Sequence, residues 1–316
     1  MSALASSIFG LLVRARDRAY ARGRLGVARL PRPVVSIGNL SVGGSGKTPT
    51  VIALGRQLRR DGLNLDVLSR GYRRASKALV MAETGDEDVR LTGDEPKLIA
   101  ARLRAPVLVH PDRFRAGLEG ERRFHSQVHL LDDGFQHRQL FRNFDLVLIA
   151  PDDLDGRLLP AGRLREPPSA LARAQAVLWV GDEESFRAAR PRLAQLTAAR
   201  LFRAERRPLP LAPGVAAKPF AFCGLARPES FWEALTQLGI VPLGRRSFRD
   251  HHHYSLRDLA RLSASAQAAG ADSLVTTAKD AANLPAPLPG LVVVEIEMHM
   301  PAISELTAMI REVCAL

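Results

Sequence analysis

Hydrophobic and polar positions follow two different periods along this chain. Short apolar runs of the kind that form buried strands are separated by segments whose apolar residues recur at helical spacing. In the stretch 48–62, for example, Pro49 stands in the first turn of a predicted helix that ends at Gly62. This alternation of strand and helix predicts a parallel-rich sheet covered by helices. The predicted strands are 32–40, 64–72, 105–110, 126–133, 144–150, 174–180, 220–225, 272–280 and 291–298.

A rise in proline and glycine divides the chain into two parts. The stretch 207–219 has the composition of a domain junction. We therefore predict an α/β/α domain at 1–206, a linker at 207–219 and a second, smaller α/β/α domain at 220–316. The C-terminal helix of the second domain is free to pack back on the first.

The N-terminal segment combines apolar and basic residues. Its apolar run at 8–13 is too short to cross a bilayer, which needs about 20 residues. Two interpretations stay open: a helix that lies in an anionic membrane interface, or an amphipathic helix that packs on its own domain with its arginines in water. The apolar residues at helical spacing are Leu4, Ile8, Leu11 and Leu12, and the arginines that follow are Arg14, Arg16, Arg18, Arg22 and Arg24.

Composition narrows the choice of partners. The formal charge of +12 favours anionic partners, namely membrane lipid, nucleic acid or a phosphorylated substrate. Aromatic residues make up only 5% of the chain and no stacking-rich basic motif occurs, so nucleic acid is not expected. Cys223 and Cys314 are far apart, which excludes a disulfide framework and a cysteine zinc site. A monomer is expected, because the sequence has no heptad pattern.

The strongest chemical signal is the glycine-rich loop GNLSVGGSGKTP at 38–49. Its glycines can turn backbone N–H groups toward phosphate oxygens, Lys47 can reach the β- and γ-phosphates, and the Thr48 hydroxyl can bind Mg²⁺. The P-loop pattern G-x-x-x-x-G-K-[ST] has a glycine at the place of Ser41, but serine also adopts turn conformations. The loop predicts a P-loop NTPase-like domain that binds ATP through Ser41, Val42, Gly43, Gly44, Ser45, Gly46, Lys47 and Thr48.

A P-loop site also needs a carboxylate for the magnesium ion at the end of a neighbouring buried strand. Asp132 and Asp133 stand where the predicted strand 126–133 reaches the nucleotide edge of the sheet. The alternative is an acidic turn before Gly134, because aspartate and glycine are common in turns. The glycine-rich loop favours the magnesium interpretation.

Two further polar segments carry candidate chemistry. Asp94 either caps the helix that begins near Pro96 or acts as a base or orienting group for an attacking hydroxyl. Residues 251–253 are three consecutive histidines, but adjacent side chains diverge and no other His/Cys cluster completes a zinc site. A histidine beside Asp250 that orients or exchanges a proton is the functional interpretation, and solvated loop histidines are the alternative.

Several long segments occur in the order and rough spacing of one known family, and the match spans most of the chain. On these segments the chain resembles the tetraacyldisaccharide 4'-kinases of the lipid A pathway, in which a serine at the place of Ser41 is normal. The segments are GNLSVGGSGKTP (38–49), SRGYRR (69–74), GDEPKLIA (93–100), LDDGFQHRQLFRNFDLVLI (131–149), LLPAGRLREP (158–167) and FRDHHHYS (248–255).

The resemblance implies a specific reaction. The γ-phosphate of ATP is transferred, with Mg²⁺, to the 4'-hydroxyl of a tetraacylated glucosamine disaccharide 1-phosphate, which gives lipid IVA. It also implies a peripheral enzyme at the cytoplasmic face of the inner membrane, where the glycolipid substrate stays in an anionic surface. The implied fold has two α/β/α domains joined by a short β linker, and the first carries the P-loop.

The resemblance further implies roles for individual residues. Asp94 would act on the acceptor hydroxyl with His251 as its partner, and Lys47 would bind the transferred phosphate. The implied metal-site residues are Thr48, Asp132, Asp133 and Glu166. Gln136 and His137 would line the site, and the candidates for substrate phosphate or transition-state charge are Arg70, Arg73, Arg113 and Arg165.

Two other classes of protein stay open. A P-loop ATPase switch of the partitioning or metal-delivery type carries an extra lysine just before the paired glycines, where this chain has Val42. A nucleotide-gated membrane-binding or nucleic-acid-binding protein would use the basic charge for phosphate contacts. Asp94 separates these classes from a kinase, because only the kinase needs it for turnover.

Overall fold

The computed structural model describes residues 2–71, 74, 77–85, 87–212 and 217–316, which form two β-sheets with helices packed against them. The strands are β1 Val34–Asn39, β2 Leu65–Ser69, β3 Val80–Ala82, β4 Val107–Val109, β5 Val128–Asp132, β6 Phe144–Ile149, β7 Ala176–Val180, β8 Arg200–Pro208, β9 Pro219–Cys223, β10 Gly244–Ser247, β11 Ser273–Thr277, β12 Leu291–Val294 and β13 Ile296–His299. The helices are α1 Ser2–Ala21, α2 Lys47–Arg60, α3 Val89–Thr92, α4 Asp94–Leu103, α5 Arg113–Phe124, α6 Glu183–Leu196, α7 Glu229–Gln237, α8 Leu256–Ala268, α9 Ala278–Ala281 and α10 Ile303–Cys314, with 3₁₀ turns at Pro151–Asp153 and Pro168–Arg173.

The large sheet has nine strands in the order β13-β8-β7-β6-β1-β5-β2-β4-β3. Its strands are parallel except for β3 and β13, which pair antiparallel with β4 and β8. Both faces of its central strands are buried: on β6, Leu146 and Leu148 lie in one core, and Val147 and Ile149 lie in the other. Burial on both sides explains why these strands are continuous apolar runs in the sequence. The predicted α/β/α class with a parallel-rich sheet is confirmed.

The small sheet has four parallel strands in the order β10-β9-β11-β12. The predicted strand 291–298 is wrong as a single element, because β12 ends at Val294 in the small sheet and β13 begins at Ile296 in the large one. The crossing point is Glu295, whose carbonyl accepts from the Leu209 N–H at 2.8 Å and whose side chain pairs with Arg102. The chain therefore returns to the large sheet before its last helix.

The C-terminal segment packs with the first part of the chain. Leu306 and Ile310 of α10 lie in the same core as Val51 and Leu54 of α2. The sequence division put 220–316 in the smaller unit and left only the last helix free to return. In the structure, the small sheet ends with β12, and both β13 and α10 lie with the large sheet.

Strand β8 has no counterpart among the predicted strands. Its nine residues include four arginines and one glutamate, and these charged residues obscure the alternation of apolar and polar positions that indicates a strand. Phe202 and Ala204 nevertheless face the core, while the alternate residues Arg203 and Glu205 lie on the other side and pair with each other. Strands β3 and β10 were also not predicted, since three apolar residues or the sequence GRRS carry no strand signal.

Helix α1 leaves its apolar residues uncovered. Val13 is buried and the Ser6 hydroxyl donates to the Leu158 carbonyl at 3.0 Å, so the helix is attached to the large unit. The side chains of Leu4, Ile8, Leu11 and Leu12 are nevertheless between 51% and 70% exposed. Across the described ranges, no helix combines the length and the hydropathy that crossing a membrane requires.

Candidate functional site

The carboxyl ends of both sheets open into one cleft of about 2220 Å³. Its walls include the loop after β1, the ends of β2 and β5, and, from the small sheet, the residues that follow β9 and β11. A typical small-molecule pocket measures about 300–1,000 Å³. The cleft therefore has room for a nucleotide and for part of a second substrate.

The phosphate loop, residues 41–48, has the backbone shape that its glycines predict. Gly43 and Gly46 have φ angles of 91° and 89°, in the left-handed region that glycine tolerates. A Cβ at Gly46 would also lie 2.5 Å from Met298 Cε. Ser41, by contrast, forms a β-bridge with Leu164, so this position is extended and needs no glycine.

The loop ends at the start of α2 and leaves donors for an anion. Gly46 is the N-cap of α2, and among the described residues no side chain caps this helix. The first N–H groups of any helix lack acceptors inside it, and the helix dipole adds positive potential there. These features fit the phosphates of ATP.

Lys47 is held in place by neighbouring oxygen atoms. Its Nζ donates to Asn39 Oδ1 at 3.1 Å and to Ser45 Oγ at 3.4 Å, and it lies 3.5 Å from Asp133 Oδ1. Asn39 also donates through Nδ2 to the Ser41 carbonyl at 2.7 Å. Asn39 was not predicted. It is the last residue of β1, and the same position at the end of a strand is what indicated Asp132 and Asp133.

Asp133 is a carboxylate between two cations. Arg165 donates to both of its oxygens, at 2.7 and 2.8 Å, and Lys47 faces it from the loop. Burial alone would raise the pKa of Asp133, but Lys47 and Arg165 outweigh it and hold that pKa well below its usual range. Asp133 therefore stays ionised and fixes both cations at the phosphate loop.

Asp132 has the opposite electrostatic surroundings. It is buried, it accepts from the Ser69 hydroxyl at 3.3 Å, and burial together with Glu95 and Asp133 raises its pKa to about 7. A carboxylate close to other carboxylates is a suitable ligand for a cation, because the cation offsets their mutual repulsion. Glu95 was not predicted, and burial and Asp94 raise its pKa in turn.

The donor set fits Mg²⁺ bound together with nucleotide. In the described part of the chain, no three His, Cys, Asp or Glu side chains are grouped so as to hold a metal by themselves. Mg²⁺ keeps several waters and usually takes one or two carboxylates plus phosphate oxygens. Thr48, Asp132 and Asp133 supply hard oxygen ligands of this kind beside the loop.

Glu166 does not join these residues, which corrects its expected place at the metal. Its carboxylate is fully buried, and its two oxygens accept from Arg16 at 2.9 Å and from Arg173 at 2.6 Å. Arg16 belongs to α1 and Arg173 to the second 3₁₀ turn. Glu166 thus bridges Arg16 of the N-terminal helix and Arg173 of the large unit. Its neighbour Arg165 is the residue that reaches the phosphate loop.

Asp94 and His251 meet across the two sheets. Asp94 is the first residue of α4 and is buried, and its Oδ2 accepts from His251 Nδ1 at 2.8 Å. Gly93, not Asp94, is the N-cap of that helix. Burial alone would raise the pKa of Asp94, but His251 and Lys279 outweigh it and lower that pKa. The hydrogen bond that His251 donates to Asp94 raises the pKa of His251.

The structure distinguishes the three consecutive histidines. His251 has a φ of 57°, which turns its ring toward Asp94. His252 stacks on Phe248, with ring centroids 4.6 Å apart, and contacts Asp258 at 3.3 Å. His253 is exposed.

One further charged residue at this place, Lys279, was not predicted. Lys279 Nζ donates to Asp250 Oδ1 at 3.0 Å and lies 3.7 Å from Asp94 Oδ2. Lys279 follows β11, so its signal was again a polar residue at the carboxyl end of a predicted strand.

A basic pocket adjoins the aspartates. Arg113 is buried, its Nη1 donates to the Pro111 carbonyl at 2.6 Å, and burial and Arg70 lower its pKa to about 10. No described residue accepts from Arg113 Nε. Burial and then Arg113 lower the pKa of His137 to about 4. Besides burial, both lowered pKa values reflect nearby positive charge, which favours an anionic ligand group at this place.

The remaining predicted residues lie in different places. Gln136 Nε2 donates to the Asn39 carbonyl at 3.0 Å, and its buried Oε1 has no hydrogen-bond donor among the described residues. Val42 accepts from Arg163 through its carbonyl, while Gly44 is exposed. Arg73 lies outside the described residues.

Comparison with known proteins gives one consistent family. A family model described as LpxK, tetraacyldisaccharide-1-P 4'-kinase, matches residues 2–315. The tetraacyldisaccharide 4'-kinase of Koribacter versatilis is 44% identical over 287 residues, which cover 88% of this chain and 87% of the relative. That of Geobacter metallireducens is 37% identical over 312 residues, with 89% and 87% covered.

A solved structure agrees over the whole chain. The crystal structure of "apo" form LpxK from Aquifex aeolicus in complex with ATP matches with a TM-score of 0.79 and 30% sequence identity. The match covers 98% of this chain and 97% of that one.

Proposed function

The chain belongs to the tetraacyldisaccharide 4'-kinase family, and we propose a role in the reaction for each residue of the site. It is an ATP- and Mg²⁺-dependent kinase that transfers the γ-phosphate to the 4'-hydroxyl of tetraacyldisaccharide 1-phosphate and forms lipid IVA in lipid A biosynthesis. The predicted family, activity and cofactors are confirmed. An ATPase switch or a nucleotide-gated binding protein is not favoured.

These roles are assigned because one cleft is lined by residues of both sheet units. The phosphate loop opens into it from the large sheet, and His251 and Lys279 line it from the small-sheet side. Phosphoryl transfer needs alignment of donor and acceptor and compensation of charge on the phosphate oxygens. One cleft with a phosphate site and a carboxylate–histidine pair meets both needs.

At the phosphate loop, the amides of residues 43–48 and the ammonium of Lys47 bind the β- and γ-phosphates. Thr48, Asp132 and Asp133 would hold the magnesium ion, which neutralises charge that develops on the transferred phosphate. Arg165 keeps Asp133 in position through its two hydrogen bonds. Asp132 binds a cation as the ionised carboxylate, and a cation there offsets the effects of burial and of repulsion from Glu95 and Asp133, which raise the pKa of Asp132.

At the acceptor side, Asp94 receives the proton of the 4'-hydroxyl. A carboxylate with a lowered pKa is a weak base, but in a loose transition state the hydroxyl loses its proton late, so modest basicity is enough. His251 orients this carboxylate through the 2.8 Å hydrogen bond. A phosphate of the substrate binds beside Arg70 and Arg113, whose positive charges lie close enough together to add to burial in lowering the pKa of Arg113, and the neutral His137 lines the same place.

We also propose a peripheral location at the cytoplasmic face of the inner membrane, as a monomer that binds its glycolipid at an anionic surface and does not bind nucleic acid. The exposed leucines and isoleucine of α1 and the arginines that follow support it. Such a helix binds lipid by burying its apolar face in the headgroup region.

Sedimentation with vesicles that contain anionic phospholipid tests this location. The double variant Ile8→Ser with Leu12→Ser should bind vesicles at least about ten-fold more weakly, because burial of each large apolar side chain contributes about 1.5–3 kcal/mol. A matched control removes two equally exposed leucines of the small-sheet unit, Leu243→Ser with Leu256→Ser. Equal losses in both double variants would contradict a specific role for α1.

A further inference from the structure

The ammonium of Lys279 lies where the charged groups of the acceptor side converge. Its Nζ is 3.0 Å from Asp250 Oδ1, 3.3 Å from His251 Nε2 and 3.7 Å from Asp94 Oδ2. The lysine side chain is only 18% exposed. None of the proposed roles in the reaction involves this buried cation.

The contact with His251 fixes which ring nitrogen carries the proton. An ammonium has three N–H donors and no lone pair, so Lys279 can only donate to His251 Nε2. In the neutral imidazole that this contact favours, Nε2 is the unprotonated nitrogen and Nδ1 carries the proton that is donated to Asp94. Asp250 Oδ2, which lies 3.7 Å from Nε2, is a group that favours a second proton on the ring. The other tautomer would set the Nδ1 lone pair against the carboxylate of Asp94.

The same ammonium also acts on charge. The charged groups that face it are Asp94 and Glu95 from α4, and Asp250 and His251 from the loop before α8. Burial would lower the pKa of Lys279, but the three carboxylates outweigh it and raise that pKa, so the lysine stays protonated. Its charge favours the ionised carboxylate of Asp94 and disfavours a second proton on His251.

The fold positions Lys279 and His251 through one buried carboxylate. Asp280 accepts from the Tyr254 hydroxyl at 2.9 Å and from the Gly224 N–H at 2.8 Å, and Thr277 donates to its second oxygen at 2.6 Å. Tyr254 lies three residues after His251, and Asp280 directly follows Lys279. The two segments that carry the contact are therefore anchored to each other.

We propose that Lys279 is a positioning residue of the phosphoryl transfer: by donating to His251 Nε2, it holds the imidazole in the tautomer that donates to Asp94. The proposal rests on the roles proposed above for Asp94 and His251. In the step that it supports, the acceptor oxygen bonds to the γ-phosphorus and the bond from that phosphorus to the β–γ bridging oxygen breaks. The electron pair of that bond leaves with ADP, and the hydroxyl proton moves to Asp94.

The first test reads the imidazole without any need for turnover. Full-length protein with ¹⁵N-labelled histidine is titrated by NMR as wild type, Lys279→Met and Lys279→Arg, and the signals of His251 are assigned with His251→Gln. The wild type should show the Nδ1–H tautomer. In Lys279→Met the titration midpoint of His251 should move to higher pH, because a neighbouring positive charge is lost, while Lys279→Arg should stay near the wild type. An unchanged tautomer and midpoint in Lys279→Met would overturn the proposal.

The second test separates positioning from a structural role. In Lys279→Met, kcat should fall by about 10²-fold, the size of a general-base contribution, with KM for ATP nearly unchanged. The acid limb of the kcat profile should move to higher pH, because Asp94 takes up a proton more easily without the lysine charge. Lys279→Arg should recover much of the loss, and Lys218→Met, at an exposed lysine, should behave as the wild type.

The outcomes keep this inference apart from the proposed function. A kcat loss that is equal at every pH and is not recovered by Lys279→Arg would overturn the positioning role. If Lys279→Met does not fold, as a thermal melt would show, Lys279→Leu, which also lacks a hydrogen-bond donor, takes its place in both tests. If Asp94→Asn keeps full turnover, the proposed base fails, while the histidine titration still decides whether Lys279 sets the tautomer of His251.

Discussion

The phosphate loop differs in its assembly from the group of Asp94, His251 and Lys279, here called the acceptor junction. The loop, His251 and Lys279 line the same cleft, and Asp94 is hydrogen-bonded to His251. The loop is eight consecutive residues at the end of one strand. The junction joins three separate segments, and Asp94 and His251 are 157 positions apart. The loop also leaves amides for a ligand to complete, whereas the side chains of the junction already bond to one another. The nucleotide site is thus formed by consecutive residues, whereas the proposed base, Asp94, is positioned by residues that are distant in the sequence.

The largest effect on turnover is expected from Lys47→Met. The loop loses the ammonium that reaches the phosphates, and Asp133 loses one of its two cations. We expect kcat to fall by about 10³-fold, as when a preorganised donor to a transition-state oxygen is removed. The measurement is transfer of labelled γ-phosphate from ATP to tetraacyldisaccharide 1-phosphate in detergent micelles. Lys218→Met is the matched control, and equal activity of the two variants would contradict the role of the loop.

A smaller loss is expected from His251→Gln in the junction. The glutamine amide can still donate to Asp94, but it has no second ring nitrogen for Lys279 to bind, so Asp94 is held less precisely and kcat should fall by about 10²-fold. The affinity for ATP should stay close to that of the wild type, because the loop is untouched. The matched control is His253→Gln, at the exposed histidine two residues on. If the control loses as much activity, the choice of His251 is wrong.

Glu166→Gln separates attachment of α1 from metal binding. The variant removes the charge that pairs with Arg16 and Arg173, and it should lower the free energy of unfolding by about 2 kcal/mol, less than for a fully buried pair because Arg16 is a third exposed. The Mg²⁺ concentration for half-maximal activity should not change. A strong shift in that concentration would restore Glu166 to the metal site.

The smallest effect on turnover is expected at the amino ends of the central strands β5 and β2, since the cleft lies at their carboxyl ends. There the buried His129 bonds to Asp66 at 2.7 Å and to Glu121 at 3.2 Å. Burial alone would lower the pKa of His129, but Asp66 and Glu121 outweigh it and raise that pKa. The stability from this group is therefore complete below the ordinary histidine pKa of about 6.5 and is lost as pH rises through the higher pKa of the folded state.

Urea unfolding at a series of pH values checks this sign. Between the ordinary pKa of histidine and alkaline pH, the wild type should lose more stability than His129→Gln, while both proteins keep the same kcat at neutral pH. A wild type whose stability rises over that interval by more than that of the variant would contradict the assignment.

The sequence predicted the contiguous parts of the molecule. The run from Gly43 to Thr48 and the pair Asp132 and Asp133 could be read because each lies at the end of an apolar strand, where parallel sheets collect ligand-binding residues. Strand β8 could not, since its alternation is carried by only Phe202 and Ala204 among charged residues.

The remaining differences come from tertiary contacts that no local pattern reports. Glu166 was expected at the metal from the family resemblance, but its carboxylate bonds to Arg16 of α1 and to Arg173. Likewise, nothing near Lys279 in the sequence indicates that its neighbours are Asp94 and Asp250. Residues from three segments meet only when both sheets are in place.

The most direct test of a divided site is Asp94→Asn, measured for ATP affinity and for phosphate transfer to the lipid in the same preparation. The account predicts that the variant binds ATP within about two-fold of the wild-type affinity and loses at least about 10²-fold in kcat, because the carboxylate acts only on the acceptor. Transfer at the wild-type rate, or a loss that is explained by weaker ATP binding, would contradict it.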